Sequence, residues 1–241
     1  MTVLFISDLH LDGSRPEATE CFLRFLEGPA QEAERLYILG DLFEAWIGDD
    51  DPNPHFALIR EALKRFTQDG PPTFFMPGNR DFLMGDKFLD ETGLVRLPDP
   101  TLIEVAGTSV LLSHGDALCT DDTAYQRYRR FTRHRWVLKL YHALPFAIRS
   151  WIVTSARSKS QSSTQSKAPE VMDVNQQAVE QMMRTYNMLT LLHGHTHRQG
   201  EHDFQIESFA AKRIVLGDWY ERGAVLSWGT QGRQFKALSF G

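Results

Sequence analysis

Val3-Leu4-Phe5-Ile6-Ser7-Asp8-Leu9-His10 is the stretch that decides how this chain reads. Four consecutive apolar residues match a short buried strand. The run stops at Asp8 and His10, which at strand spacing face the same way. A carboxylate and an imidazole together suit a hard-to-borderline metal ion. A single such pair is more often a turn with a hydrogen-bonded histidine than a metal site, but here the device recurs. Leu36–Leu39 runs into Gly40-Asp41, and Thr73–Met76 into Pro77-Gly78-Asn79-Arg80-Asp81. Ser109–Leu112 runs into Ser113-His114-Gly115-Asp116, and Leu189–Leu192 into His193-Gly194-His195-Thr196-His197.

Helical patterns separate these strands. Ser14-Arg15-Pro16-Glu17 has the form of a capping box with Ser14 as N-cap, opening a helix that carries Ala18, Cys21, Phe22, Phe25 and Leu26 on one face. A second helix is expected over Phe56–Gln68, and a third over Val174–Tyr186 with Asp173 as N-cap and Gln176 in the box position. Strands alternating with helices imply a largely parallel sheet, whose site lies beyond the carboxyl ends of its strands. All five clusters then meet at one edge. Further strands are expected around Ile214–Leu216, Ala224–Leu226 and Gln234–Phe240.

The chain has 241 residues, 42% of them hydrophobic and 24% charged, the balance of a soluble enzyme with one domain spanning 1–241. A net charge of −5 argues against a nucleic-acid partner. Cys21 and Cys119 lack CxxC spacing and are expected as reduced thiols. No run approaches the ~20 apolar residues of a membrane span. A strand beginning at Thr2 or Val3 leaves no room for a signal peptide. The expected location is cytosolic, with contact to a membrane surface left open.

The convergent groups are Asp8, His10, Asp41, Asn79, His114, His195 and His197. They are too many for one ion and suit two ions that share a bridging carboxylate. Such a pair acidifies a bound water and clamps the attacking and leaving oxygens of a displacement at phosphorus. Without a thiolate, the donor set favours Mn, then Fe, then Zn.

These five blocks, in this order across positions 8–197, resemble the calcineurin-like metallophosphoesterases. The resemblance implies an α/β fold, a four-layer α/β sandwich with a dinuclear centre. One ion would be held by Asp8, His10, Asp41 and His197, the other by Asp41, Asn79, His114 and His195, with Asp41 bridging. His193 falls outside that set and is assigned a structural role; Asp81 and Asp116 are read as turn residues or partners of the ligands. Many members of the family carry a histidine where this chain has Arg80. Arginine cannot deliver a proton near neutral pH, but it binds phosphate oxygens with two parallel donors. Arg80 therefore favours a leaving group that needs no acid, such as the phosphate of a pyrophosphate. The competing reading is a plain Arg80–Asp81 ion pair.

From Asp121 to Lys167 there are ten Lys or Arg against two Asp, so this stretch carries +8 and the remainder −13. Trp136, Leu140 and Leu144, Val137 and Tyr141, and Ile148 and Ile152 recur at helical spacing, with a break at Leu144-Pro145. A helical cap insertion over 121–168 is expected above the metal edge, closed by a Ser/Thr/Lys-rich return. Its apolar faces could simply pack on the body. With Tyr125, Tyr128, Phe131 and Trp136 as stacking groups it could instead bind nucleic acid. Aliphatic content beside basic charge favours a lipid.

Longer stretches (Phe5–Leu11, Tyr37–Asp50, Gly78–Leu83, His114–Asp116, His193–Arg198 and Leu216–Trp219) resemble the branch of the family that serves lipid A synthesis. That resemblance implies cleavage of the pyrophosphate of a UDP-linked diacylglucosamine by a metal-activated water attacking the uridine-side phosphorus. It implies Asn79, Arg80 and His114 as catalytic residues. Substrate contacts would fall on Asn79, Arg80, Asp122, Ser160, Thr164, Lys167 and His195. It further implies two divalent ions, Mn2+ first, and a monomer held peripherally at the cytoplasmic face of the inner membrane. The alternatives are another nucleotide pyrophosphatase or phosphodiesterase of the family, or a metal-free binding scaffold, which the filled ligand positions oppose. The Glu44–Asp50 block is distinctive, yet its residues suggest no individual roles.

Overall fold

Alternation along the first strand, β1 (Thr2–Ile6), builds two cores at once. Val3 and Phe5 face one hydrophobic cluster, while Leu4 and Ile6 face another. The structure is a computed structural model and describes residues 2–166 and 173–240, with side chains described outside 159–166.

A six-stranded sheet has the order β11 (Gly232–Leu238), β10 (Gly223–Gly229), β1, β2 (Arg35–Ile38), β3 (Thr73–Phe75) and β4 (Val95–Arg96). A five-stranded sheet has the order β5 (Thr101–Val105), β6 (Thr108–Ser113), β7 (Thr190–His193), β9 (Phe209–Val215) and β8 (Gly200–Ile206). Strands β1 to β4 are parallel neighbours, as are β6, β7 and β9. Antiparallel strands flank both parallel sets. The largely parallel sheet expected from strand spacing is divided into two sheets face to face, in keeping with the four-layer sandwich that the resemblance implies. The five polar clusters still gather at one edge, because each follows the carboxyl end of a parallel strand.

Three apolar clusters separate four layers. Helices α1 (Pro16–Glu27), α2 (Pro54–Asp69) and α3 (Asp86–Thr92) cover the outer face of the first sheet. Val3, Phe5, Leu112, Leu192 and Ile214 meet between the sheets. Helix α7 (Gln176–Thr185) covers the second sheet through Val179 and Met183. Phe5, Tyr37 and Phe74, opposite one another on β1, β2 and β3, stack at 5.1 and 4.8 Å and lock the register.

Several local expectations change. Ser14 does not cap α1; its backbone and hydroxyl donate to Asp12 Oδ1, and Arg15 occupies the cap position without a side-chain bond. Asn175, not Asp173, caps α7, accepting from Ala178 N, while Asp173 accepts from Val174 N and pairs with Arg198. The basic insertion forms three helices, α4 (Thr123–Thr132), α5 (Arg135–His142) and α6 (Phe146–Ser166). The Leu144-Pro145 break lies between α5 and α6, as the sequence indicates. The Ser/Thr/Lys-rich return is not a loop up to Ser166 but the continuation of α6. Both cysteines are buried, and neither is in a disulfide.

The loop after β2 is anchored by Phe43, which is fully buried, with ring centroids of Trp46, Phe56 and Phe88 at 4.7, 5.0 and 5.7 Å. Phe43→Ala should cost about 3–5 kcal/mol of stability. Urea denaturation monitored by circular dichroism measures it, and a loss below ~1 kcal/mol would contradict this packing account.

Candidate metal centre

Strand β1 ends at Ile6, so strand alternation does not aim Asp8 and His10. Each is aimed separately by a left-handed backbone, with φ of 56° and 50°. Asp41, His195 and His197 share that conformation, at 54°, 70° and 59°. Among the described residues, eight non-glycine positions have positive φ, and five of them belong to the expected donor set. Strain of this kind, about 1–3 kcal/mol per residue, persists only where surrounding contacts enforce it. Here the loops after β1 and β2 are zipped together. Asp8 N donates to Gly40 O at 3.0 Å, His10 N to Asp41 O at 3.0 Å and Leu11 N to Leu42 O at 2.9 Å. Gly78 lies so close beneath Asp41 that a Cβ there would collide with the Asp41 carboxylate and backbone nitrogen.

The donors converge in two groups, Asp8 with His10 and His197, and Asp41 with His114 and His195, each within 4.8 Å. Asp41 joins them: its Oδ2 lies 3.9 Å from His10 Nε2 and its Oδ1 3.7 Å from His114 Nε2. Asp8 Oδ2 accepts from Ser7 Oγ at 2.5 Å and from His195 N at 2.9 Å. Asp8 Oδ1 is buried without a hydrogen bond and faces His197 Nε2 at 3.4 Å. His10 Nε2 and His197 Nε2 point at each other across 3.3 Å. Opposed imidazole nitrogens beside an unbonded carboxylate oxygen are what a cation would satisfy. In the other half, His114 Nδ1 is committed to Leu39 O at 2.8 Å, which turns Nε2 inward, 3.1 Å from Asn79 Oδ1. These donors fit two divalent ions.

Electrostatics agree. Burial would lower the His114 pKa, but Asp41, Asp116 and Asp8 outweigh it and hold it at about 9. A spot that attracts a proton this strongly attracts a divalent cation as well. Burial and the nearby His114 push His195 down to about 4, leaving a neutral imidazole able to ligate. Burial disfavours the Asp8 carboxylate, yet His197 and two further imidazoles hold it below the usual range.

The calcineurin-like phosphoesterase profile matches residues 1–199. The chain belongs to that family. Among relatives of this phosphoesterase, a protein of Aeromonas hydrophila named UDP-2,3-diacylglucosamine hydrolase is 48% identical over 226 residues, 94% of each chain. Its namesake in Vibrio parahaemolyticus is 44% identical over 240 residues, covering 100% of this chain and 99% of its own. Another, from an Enterobacter species, is 45% identical over 240 residues and 100% of both chains.

Around the phosphoesterase centre, several residues act that the sequence did not single out. Glu44 Oε2 lies 2.7 Å from His10 Nδ1, and Asp218 Oδ2 lies 3.5 Å from His197 Nδ1. Tyr220 stacks on His10 at 5.3 Å with planes 8° apart. Each belongs to a block quoted above or directly adjoins one, but no spacing rule ties it to a distant histidine. Asp116 accepts from Tyr125 Oη, Arg129 Nε and Arg133 Nη2 at 2.6 to 2.9 Å, and so moors α4. Asp81 accepts from Gly78 N and Leu42 N, as a turn residue would. His193 is buried with Nδ1 on Gly194 O, and burial takes its pKa down to about 3.

Among the substrate-contact expectations, Asn79 and Arg80 lie at the centre. Arg80 N donates to Asp41 Oδ1 at 2.8 Å, and its Nε is buried without a partner. No Arg80–Asp81 ion pair forms; both Asp81 oxygens are taken by backbone N–H groups. Asp122 caps α4, accepting from Tyr125 N at 3.1 Å. Ser160 and Thr164 fall on the helical backbone of α6, but their side chains, and all of Lys167, lie outside the described residues.

Gly78→Ala should displace Asp41 and remove bound divalent metal while the fold survives. Metal analysis after dialysis, alongside circular dichroism, tests this; full metal occupancy would refute the role given to the close approach.

Proposed function

We propose that this phosphoesterase hydrolyses UDP-2,3-diacylglucosamine to UMP and 2,3-diacylglucosamine 1-phosphate, a step of lipid A biosynthesis. The observation that carries the reading is likeness to hydrolases of that name through the whole chain, cap included, at 44% identity over 240 residues. Other phosphoesterases can share five metal blocks. Likeness from end to end asks for more than those blocks.

Two divalent ions, Mn2+ in our reading, would supply an acidified water and neutralise charge on the pyrophosphate. The chain does the rest. Asp41, with one oxygen toward each half of the donor set, fixes the spacing. Water adds to the uridine-side phosphorus, its proton passing to solvent, and the bond to the bridging oxygen breaks, so that oxygen leaves with the lipid phosphate. Asn79, held by His114, and Arg80, whose guanidinium has a buried nitrogen to spare, meet the phosphate oxygens. Arg80 donates no proton, and a phosphate leaving group needs none. Asp122, Ser160, Thr164, Lys167 and His195 complete the substrate contacts in this reading, with 121–168 acting as a cap over the single domain.

The cap also supports a membrane role. Phe131, Trp136, Leu140 and Trp151 are 66 to 74% exposed, amid the basic residues of α4 to α6. No helix among the described residues is long and apolar enough to cross a membrane. We assign these side chains to the cytoplasmic leaflet of the inner membrane, with the acyl chains passing between cap and body of a monomer.

Asp41→Ala and His114→Ala should each abolish UMP release in the presence of Mn2+. Arg80→Ala should lower kcat about 10²–10³-fold. A UDP-sugar without acyl chains should be a poor substrate; efficient turnover of it would favour a general nucleotide pyrophosphatase instead. Trp136→Ser with Trp151→Ser should reduce sedimentation with anionic vesicles and spare hydrolysis of detergent-dispersed substrate. Unchanged sedimentation would remove those residues from the membrane contact.

A further inference from the structure

Glu44 touches both the metal centre and the cap. The Glu44 carboxylate places Oε2 2.7 Å from His10 Nδ1, and its Oε1 accepts from Arg157 Nη2 of α6. Arg157 also donates to the Glu44 carbonyl oxygen, so guanidinium and loop are joined twice. Both side chains are about four-fifths shielded from solvent, at 21% and 20% exposure.

His10 has few other fixings. Tyr220 stacks on its face, which sets the ring plane but not which nitrogen carries the proton. Its Nε2 faces His197 and Asp41. A carboxylate at that distance favours the Nδ1–H tautomer and leaves Nε2 to ligate.

The same loop anchors α5 and the first turn of α6. Tyr141 Oη donates to Ile47 O at 2.8 Å. Arg149, 4% exposed, donates to Leu144 O and Ile47 O and pairs with Asp50. Helix α6 therefore sits on a loop whose first residue grips a metal-facing histidine.

We propose that Glu44 is a positioning residue that couples the seating of α6 to cation affinity in the Asp8–His10–His197 half of the centre, an inference that rests on the dinuclear reading above. Arg157 orients Glu44, and Glu44 sets the tautomer and direction of His10. Because linkage is reciprocal, a cation bound at His10 strengthens the hold of the body on α6.

The test is Mn2+ titration of the full chain, stripped with chelator, by calorimetry and without substrate. Wild type should take up two ions. Glu44→Gln, which keeps the shape and loses the charge, should weaken one site about 10–100-fold and spare the other. Arg157→Gln should weaken the same site by a smaller factor, and the double variant should be no weaker than Glu44→Gln alone. In wild type, Mn2+ should slow amide exchange across 146–158; in Arg157→Gln that response should vanish. Wild-type affinity at both sites in Glu44→Gln, or effects that multiply independently in the double variant, would overturn the coupling. So would an unchanged exchange response in Arg157→Gln, which also serves if Glu44→Gln does not fold. A wild-type chain that takes up no Mn2+ would overturn the dinuclear reading along with the coupling.

Discussion

Four buried carboxylates, those of Asp8, Asp41, Asp81 and Asp116, crowd the loops at one edge of the two sheets. So much buried negative charge is costly unless each group finds compensation. Asp116 finds it in Arg129 and Arg133, and by doing so draws the first helix of the basic insertion onto the body. Asp81 accepts two backbone N–H groups, while burial and the nearby Asp41 raise its pKa to about 6. Asp8 and Asp41 are only partly satisfied by the protein. Their remaining oxygens, with four inward imidazoles, define the centre. The architecture follows from this demand for positive charge, met at Asp116 by arginines of the basic helices, while Asp8 and Asp41 stand in groups of donors that could hold a metal ion.

The distribution of charge along the chain then has a structural meaning. A basic insertion of +8 within a chain of −5 is a second element held against an acidic edge. Arg129, Arg133, Arg149 and Arg157 each reach an acidic residue of the body. Arg127, Arg130, Arg135 and Lys139 are exposed on the same helices as Phe131, Trp136, Leu140 and Trp151.

Much of this was legible in the sequence because the relevant signals are local. An apolar run followed by Asp, Asn or His marks a strand end with ligands, and five such ends in a helix-separated series imply convergence. The division into two sheets was not legible from spacing, because β6 and β3 show the same pattern and nothing local says which strands pair. The caps expected at Ser14 and Asp173 do not form because the Ser14 hydroxyl donates to Asp12 and the Asp173 carboxylate pairs with the distant Arg198. Glu44 and Asp218 were missed for a different reason. Each acts by touching a histidine far away in sequence, and such a contact leaves no period to detect. The Glu44–Asp50 block is a case in point. Its residues make sense only once α3, α5 and α6 are in place, with Asp49 accepting from Gly85 N and Phe88 N and Asp50 pairing with Arg149.

The left-handed backbone at Asp8, His10, Asp41, His195 and His197 bears on how such a centre can vary over generations. Apart from glycine, the side chains that enter this region most readily are asparagine, aspartate and histidine. Those are also the residues that offer oxygen or nitrogen to a hard or borderline ion. At these positions the conformational filter and the chemical filter select nearly the same alphabet. A random substitution that the loop accepts is therefore often another donor, whereas β-branched and bulky replacements are resisted by the chain before metal chemistry is consulted. The mutational neighbourhood of the site is consequently rich in sequences that still bind a cation, with altered charge or donor atom.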